Sequence, residues 1–160
     1  MAIICTLCYI EKDNQVLLQK KSKGLFGENK YNAPGGKLQG EETPEEGAIR
    51  EVKEETGLDV MNIKNHGILH FYDGDESAPS IIVHVFSTKK FSGELKEVVR
   101  EGIHEWTDKD KIPYNQMWED DKWWVPFMFE GKTLEGHFYF EKGYGPIYKH
   151  KLEVKHKKLN

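Results

Sequence analysis

The amino-acid sequence predicts a mixed α/β layered fold, in which helices pack against a β-sheet. The chain has 160 residues, 38% of them hydrophobic and 31% charged, which is typical of a folded domain rather than a disordered or fibrous chain. Short runs rich in β-branched and aromatic residues alternate with two helical segments, and this interleaving indicates strands and helices around one core. No repeat or linker-like stretch divides the chain, so we expect a single domain over residues 1–160.

Strands are predicted where hydrophobic runs are bounded by turn residues. The first two, 3–10 and 15–20, are separated by a polar turn, and a Gly- and Lys-rich loop at 21–30 precedes a short strand that leads to Pro34. The remaining strands are expected at 66–72, 81–88, 103–106 and, as a pair, within 137–154.

The two cysteines, Cys5 and Cys8, form a C-x-x-C pair within the first predicted strand. Residues three apart on a strand point to opposite faces, and no second cysteine pair exists to complete a zinc site. We therefore expect both thiols to pack as small hydrophobic side chains.

Two helices are predicted, and the first has sequence signals at both ends. Thr43 is a good N-cap, Pro44 suits the first helical position, and Glu46 completes a capping box. Gly57 is a natural C-terminal stop. The second helix is expected over about residues 119–129, where aspartates favour the positive end of the helix dipole.

Three carboxylates share one stripe of the first helix. At about 100° per residue, Glu54 and Glu55 lie within about 60° of Glu51, and the adjacent stripe is apolar. That apolar stripe is expected to face the core and consists of Ala48, Ile49 and Val52. Like charges at this spacing repel each other, and a hard divalent cation such as Mg²⁺ would relieve the repulsion. A solvated acidic face is the alternative interpretation.

The net charge of −4 is also concentrated in this helical segment. Residues 41–55 contain seven glutamates and only two basic residues, whereas the rest of the chain is close to neutral. The mild overall acidity argues against a protein that coats nucleic acid. The local acidity instead fits a cation site through which a polyanionic nucleotide can bind.

The segment after Pro34 carries a known signature. Residues 36–58 read GKLQGEETPEEGAIREVKEETGL. This run resembles the Nudix box, G-x5-E-x7-R-E-U-x-E-E-x-G-U with U aliphatic, and meets it at Gly36, Glu42, Arg50, Glu51, Val52, Glu54, Glu55, Gly57 and Leu58. The resemblance implies an α/β/α sandwich with a mixed β-sheet, and hydrolysis of a nucleoside diphosphate linked to another group with Mg²⁺ or Mn²⁺ as cofactor.

The resemblance also implies a set of metal ligands in and beside the signature. The metal ligands would be the Gly35 carbonyl and the carboxylates of Glu51, Glu54, Glu55 and Glu101. Arg50 would orient a glutamate, and Lys37 would be placed to contact phosphate. The general base stays open among Glu51, Glu54 and Glu101, because Nudix enzymes do not all use the same carboxylate.

Other segments resemble the 8-oxo-dGTP diphosphatase family, MutT-like enzymes that act on oxidised purine nucleoside triphosphates. The matching runs are Lys30-Tyr31-Asn32, Met117-Trp118-Glu119-Asp120-Asp121 and Gly136-His137-Phe138. By this resemblance Asn32, Asp120 and Asp121 bind the purine edge and Trp118 stacks on the ring. Thr6, Lys21, Phe26 and Phe71 match further pocket positions. Glu119 replaces the family's proline, and Ala33-Pro34 replaces Gly-Phe.

The expected function is Mg²⁺-dependent hydrolysis of a nucleoside triphosphate, such as 8-oxo-dGTP, to the monophosphate and pyrophosphate. The alternatives are a Nudix hydrolase of another nucleoside diphosphate derivative, a non-catalytic nucleotide-binding Nudix module, and an RNA-associated protein that uses the lysines between Lys149 and Lys158. We expect a small-molecule nucleotide as partner, no polynucleotide, membrane or obligate protein partner, and a cytoplasmic location, since no apolar run approaches a membrane span and no signal peptide opens the chain.

Overall fold

The computed structural model describes residues 1–156, and within them the chain forms twelve strands and two α-helices. The strands are β1 (Ile3–Lys12), β2 (Gln15–Lys21), β3 (Tyr31–Asn32), β4 (Gly35–Lys37), β5 (Asp59–Met61), β6 (Lys64–Asp73), β7 (Ile81–Thr88), β8 (Lys90–Ser92), β9 (Val98–Val99), β10 (Gly102–Asp108), β11 (Thr133–Phe140) and β12 (Ile147–Lys155). The helices are α1 (Pro44–Thr56) and α2 (Asp121–Phe129). Lysines 157 and 158 of the basic tail lie outside the described residues.

The main sheet is mixed, as the sequence predicts. Its strand order is β12-β11-β6-β7-β1-β2-β10-β9, and β3 and β4 pair with β2 and β1 beside this path. The pairs β1–β7 and β6–β11 are parallel, whereas β6–β7, β11–β12 and β2–β10 are antiparallel. A separate small sheet joins β5 to β8.

Each face of the sheet packs against one helix, which confirms the α/β/α sandwich. On one face Cys8, Ile10 and Phe86 pack with Ala48 and Val52 of α1. On the other face the sheet residues Tyr9, Val85 and Phe138 pack with Trp124 and Val125 of α2. Cys8 is fully buried on the α1 side, and Cys5 packs against the α2 side, so the two free thiols do point to opposite faces.

Helix α1 begins and ends where its sequence signals indicate. The Thr43 side chain accepts from the Glu46 N–H, Glu46 caps the Thr43 N–H in return, and Gly57 ends the helix at φ 83°. The expectation that Ile49 faces the core is wrong, because its side chain is 40% exposed. The buried stripe consists of Gly47, Ala48, Val52, Glu55 and Thr56. It is centred about 100° away from Ile49 around the helix axis, which places Ile49 at its edge.

The structure also differs from the sequence prediction at several element boundaries and in three short strands. Helix α2 begins at Asp121 rather than at Glu119, whose carboxylate accepts a hydrogen bond from the Ile147 N–H on β12 at 2.9 Å. Strand β11 begins at Thr133, four residues before the predicted range. Strands β5, β8 and β9 have only two or three residues each, too few for a hydrophobic pattern to show. In residues 1–156 neither helix has the length and apolar character that crossing a membrane requires.

Candidate active site

A cavity of about 790 Å³ opens on the α2 side of the sheet. Its wall combines β1, β4 and β6 with the loop before β3 and the start of α2. The structure brings eleven of the sequence-predicted site residues to this wall: Thr6, Lys21, Phe26, Asn32, Gly35, Lys37, Phe71, Glu101, Trp118, Asp120 and Asp121. The cavity therefore joins the residues predicted to bind a purine to the edge of the Nudix box.

Two adjacent aspartates form the most polar part of the cavity wall. Asp120 and Asp121 are 2% and 3% exposed, and Trp124 donates its indole N–H to Asp120 Oδ2 at 2.7 Å. Within the described residues, Asp120 Oδ1 and Asp121 Oδ2 find no hydrogen-bond partner. Buried polar atoms are rarely left unpaired in a folded protein, so these two oxygens are the groups that a polar ligand would satisfy.

Burial separates the proton affinities of the two aspartates. It raises the pKa of Asp120 to about 6, against the opposing effect of the Trp124 hydrogen bond. Burial and the neighbouring charge of Asp120 raise the pKa of Asp121 well above its ordinary value. Near neutral pH the pair therefore offers one carboxylate that accepts and one carboxylic acid that donates.

Aromatic rings line the same cavity as the aspartate pair. The Trp118 ring stacks on Phe26 with centroids 5.2 Å apart and planes 24° apart, and the Lys30 ammonium lies 5.0 Å from the Trp118 ring centroid. Phe26 is 62% exposed, so its ring forms the outer part of this aromatic wall. Tyr144 meets both rings edge-on and also lines the cavity. A planar base fits such an apolar, π-rich wall.

Two further predicted residues contact the cavity through polar groups. Asn32 Oδ1 accepts from the Ala33 N–H at 2.9 Å, which leaves its NH₂ group for a ligand. Thr6 is 1% exposed, and its hydroxyl donates weakly to the Gly36 carbonyl at 3.5 Å, which ties β1 to β4.

The double glycine brings the backbone of β4 against both β1 and α1. A Cβ on Gly35 would lie 1.9 Å from the Thr6 carbonyl oxygen, and a Cβ on Gly36 would lie 2.6 Å from Glu51 Cδ. Gly35 therefore accepts no side chain, whereas a side chain at Gly36 would displace the Glu51 carboxylate. Gly35 and Leu7 form a non-hydrogen-bonded pair of the antiparallel ladder, so the Gly35 N–H and C=O point away from β1. The Gly35 N–H donates to Glu55 Oε2 at 3.0 Å.

Glu55 is the most buried carboxylate of the candidate metal site, at 5% exposure. Burial raises its pKa to about 7, the charges of Glu51 and Glu101 act in the same direction, and Lys21 and the Gly35 N–H oppose them. Lys21 Nζ lies 4.0 Å from Glu55 Oε1, so this predicted substrate contact also borders the carboxylates. A buried carboxylate flanked by two others fits a cation.

Arg50 organises the carboxylates of the helix rather than facing the cavity. Its guanidinium makes two bonds to Glu42, at 2.6 and 2.9 Å, and also contacts Glu51 at 2.8 Å and Glu54 at 3.1 Å. The same group donates to the Lys37 carbonyl at 3.0 Å. Such bidentate contacts fix carboxylate orientation. The Glu54 side chain is 55% exposed, so it lies farthest from the core among the three metal ligands predicted on α1.

The oxygen atoms around Gly35 suit a hard divalent cation. Carboxylates, a backbone carbonyl and water are the ligands that Mg²⁺ and Mn²⁺ prefer. The buried and electrostatically crowded Glu55 is the observation that favours this fit, because a cation would stabilise its charged form.

Sequence reasoning missed four residues that complete the site: Lys30, Glu42, Trp124 and Tyr144. Glu42 was seen only as a fixed position of the box. Trp124 follows Asp120 by four residues, and this helical spacing was the signal that could have placed the indole beside the carboxylate.

Comparison with known proteins identifies the family. A family model described as NUDIX domain matches residues 2–132. A Danio rerio protein named oxidized purine nucleoside triphosphate hydrolase is 39% identical over 151 residues, which is 94% of both chains. The Mus musculus protein of the same name is 36% identical over 137 residues, 85% of each chain. The crystal structure of a MutT protein from Bacillus halodurans has a TM-score of 0.83 at 28% identity and covers 94% of this chain and 97% of that one. These matches confirm the interpretation of the box at residues 36–58, and the chain belongs to the Nudix family.

Proposed function

We propose that the chain is a Mg²⁺-dependent nucleoside triphosphate pyrophosphohydrolase that acts on oxidised purine nucleotides such as 8-oxo-dGTP and releases the monophosphate and pyrophosphate. The observation that carries the proposal is the buried Asp120–Asp121 pair, which lines the same cavity as Trp118, Gly35 and Glu101. Relatives named for oxidised purine triphosphate hydrolysis, similar over 85–94% of this chain, support the choice of substrate.

The aspartate pair suits the edge of a purine. A purine edge carries hydrogen-bond donors and acceptors side by side, and oxidation at C8 adds an N–H donor at N7 and a carbonyl acceptor. The Asp120 carboxylate accepts, the protonated Asp121 donates, and the Asn32 amide supplies further donors. A base whose donors and acceptors do not match this pattern would leave buried polar atoms without hydrogen bonds, which costs roughly 1–3 kcal/mol per group.

The helix residues would position the reacting phosphates. Glu51, Glu54 and Glu55, with the Gly35 carbonyl and Glu101, would hold Mg²⁺, with Mn²⁺ as a substitute. When bound, the ion would supply polarisation of phosphate oxygens and a lowered pKa of the attacking water. Arg50 keeps the carboxylates of Glu51 and Glu54 in place through its hydrogen bonds. The general base stays open among Glu51, Glu54 and Glu101.

A panel of nucleotides with Mg²⁺, scored for pyrophosphate and monophosphate, tests the proposal. We expect an oxidised purine triphosphate to give the highest kcat/KM. A higher kcat/KM for a dinucleotide, a nucleotide sugar or a normal dNTP would show that the substrate belongs to that class instead. No metal-dependent turnover of any member would favour the non-catalytic module.

A substitution in the base pocket separates recognition from chemistry. Asp120→Asn should raise KM for the oxidised purine and change the preference among purines, while kcat changes less. Glu45→Gln, at an exposed position of α1 outside the cavity wall, is the matched control and should leave both constants unchanged. An equal loss of kcat with all purines would argue against base recognition by Asp120.

The remaining expectations complete the proposal. We propose that residues 1–160 act as one domain, because β12, which follows the matched residues 2–132, pairs with β11 in the main sheet. A small-molecule nucleotide is the proposed partner. The cytoplasmic location and the expected absence of polynucleotide, membrane and obligate protein partners stay predictions.

A further inference from the structure

A second cluster of metal-binding side chains lies on the opposite face of the sheet. Phe71 lines the cavity, so His70, its neighbour on β6, projects to the other face. His137 of β11 is in direct register with His70 across the parallel β6–β11 pair. Glu135, two residues before His137, shares this face. Neither histidine lines the cavity.

The hydrogen bonds of the two histidines leave equivalent nitrogens free. His70 Nδ1 lies 3.0 Å from the Gly136 carbonyl oxygen and donates to it, so His70 Nε2 carries the lone pair. His137 Nδ1 is hydrogen-bonded to the Tyr72 hydroxyl at 2.8 Å. The two rings stack with centroids 4.3 Å apart and planes 5° apart. An imidazole binds a metal ion in its own ring plane, so binding one ion would require one ring to turn out of this parallel stack. A partner on the second nitrogen is typical of metal-binding histidines.

A carboxylate completes the cluster. Glu135 Oε1 lies 4.0 Å from His137 Nε2, and one ligand atom from each of His70, Glu135 and His137 lies within 4.8 Å of the others. We propose that these three side chains form a zinc site separate from the Nudix carboxylates. Two imidazoles and one carboxylate suit Zn²⁺, whereas Mg²⁺ prefers oxygen ligands alone.

The surroundings of the cluster allow an ion to enter. The Glu135 side chain is 58% exposed, so it can rotate toward the imidazoles to reach the bond length of about 2.0–2.2 Å that Zn²⁺ requires. On β12, Lys151 stands opposite His137 and Glu153 stands opposite Glu135, so the two neighbouring charges offset each other. Zn²⁺ is typically four-coordinate, so three protein ligands leave one coordination position for water. The bound ion would tie β6 to β11, strands that are about sixty residues apart in the chain.

Calorimetric titration of the chelator-treated full chain with Zn²⁺ tests the proposal, with millimolar Mg²⁺ present to occupy the Nudix carboxylates. We expect one equivalent of Zn²⁺ to bind. His70→Gln and His137→Gln should each weaken the affinity by more than about tenfold, and Tyr72→Phe by about tenfold, because Tyr72 orients a ligand. The matched controls are His84→Gln, on the same face but outside the cluster, and Glu54→Gln in the Nudix box.

The zinc affinity of each variant decides the outcome, and circular dichroism checks its fold. If a histidine variant does not fold, Glu135→Gln replaces it in the test, because Glu135 is exposed. This variant should also weaken zinc binding. X-ray absorption at the zinc edge should show two imidazole nitrogens at about 2.0–2.1 Å. Loss of zinc in Glu54→Gln with retention in the histidine variants would overturn the proposal, as would equal loss in His84→Gln or no binding at micromolar Zn²⁺.

Discussion

The hydrogen bond from Trp124 to Asp120 gives the sharpest test of the base pocket. The substitution Trp124→Phe keeps an aromatic ring in the core and removes the indole N–H that lies 2.7 Å from Asp120 Oδ2. Trp124 is fully buried, and a phenylalanine ring at this position offers Asp120 no hydrogen-bond donor. Because the donor stabilises the charged form of Asp120, its removal should raise the pKa of this carboxyl further.

The size of the shift follows from the strength of the bond. A hydrogen bond to a charged group contributes about 1.5–3 kcal/mol, and one pKa unit corresponds to about 1.4 kcal/mol, so the pKa should rise by about 1–2 units. Starting from about 6, it reaches roughly 7–8. At pH 7 the ionised fraction of Asp120 then falls from about nine-tenths to between one-half and one-tenth. If only the ionised form binds the base, KM rises about 2–10-fold at pH 7.

The assay is the pH dependence of KM and kcat for the oxidised purine triphosphate. The rise in KM should grow as the pH falls from 8 towards 6 and should shrink above pH 8, where Asp120 is ionised in both proteins, while kcat changes little. Trp123→Phe is the matched control, because Trp123 is the neighbouring residue of α2 and its ring stacks on His150 and Phe138 instead of contacting Asp120. An unchanged pH profile of KM in Trp124→Phe, with the fold intact, would refute this reasoning.

Three further predictions concern the carboxylates of α1. Glu54→Gln and Glu55→Gln should each lower kcat for pyrophosphate release by orders of magnitude while circular dichroism shows an intact fold; retained turnover in both would contradict the metal site. Arg50→Lys should lower kcat about tenfold or more, because lysine cannot make the two bonds to Glu42, whereas Lys53→Gln, which removes an exposed ion pair, should have little effect. Removing divalent metal with EDTA should abolish turnover and added Mg²⁺ should restore it; activity that survives EDTA would refute the metal requirement.

The sequence predicts those parts of the fold that depend on local signals. The capping box at Thr43 and the stop at Gly57 act over three or four residues, so α1 was predicted at its true ends. Strand order was not predicted, because the parallel β6–β11 pair joins residues far apart in the chain, and nothing local encodes this pairing.

The residues of the candidate site were predictable by pattern, whereas their electrostatic states were not. The resemblance named Asp120 and Asp121, but the split of their pKa values comes from burial and from Trp124, which only the folded structure brings together. Similarly, the helical wheel grouped Glu51, Glu54 and Glu55 on one stripe, yet it did not show that only Glu55 is buried. The packing of β4 against α1 produces this difference in burial, because the Gly35 N–H of β4 donates to Glu55 and not to the other two glutamates.

The acidic segment at residues 41–55 explains why the reaction would need a cation. Arg50 contacts three of its seven glutamates, and Lys53 pairs with Asp59 rather than with the helix carboxylates. In the described residues, the cationic contact of Glu55 is Lys21, at a distance of 4.0 Å. A triphosphate that enters the cavity would therefore meet a group of closely spaced carboxylates on the Gly35 side, where like charges repel. In the proposed binding mode the aspartate pair keeps one proton, so the base would bind through neutral and charged hydrogen bonds while the phosphates would depend on the metal.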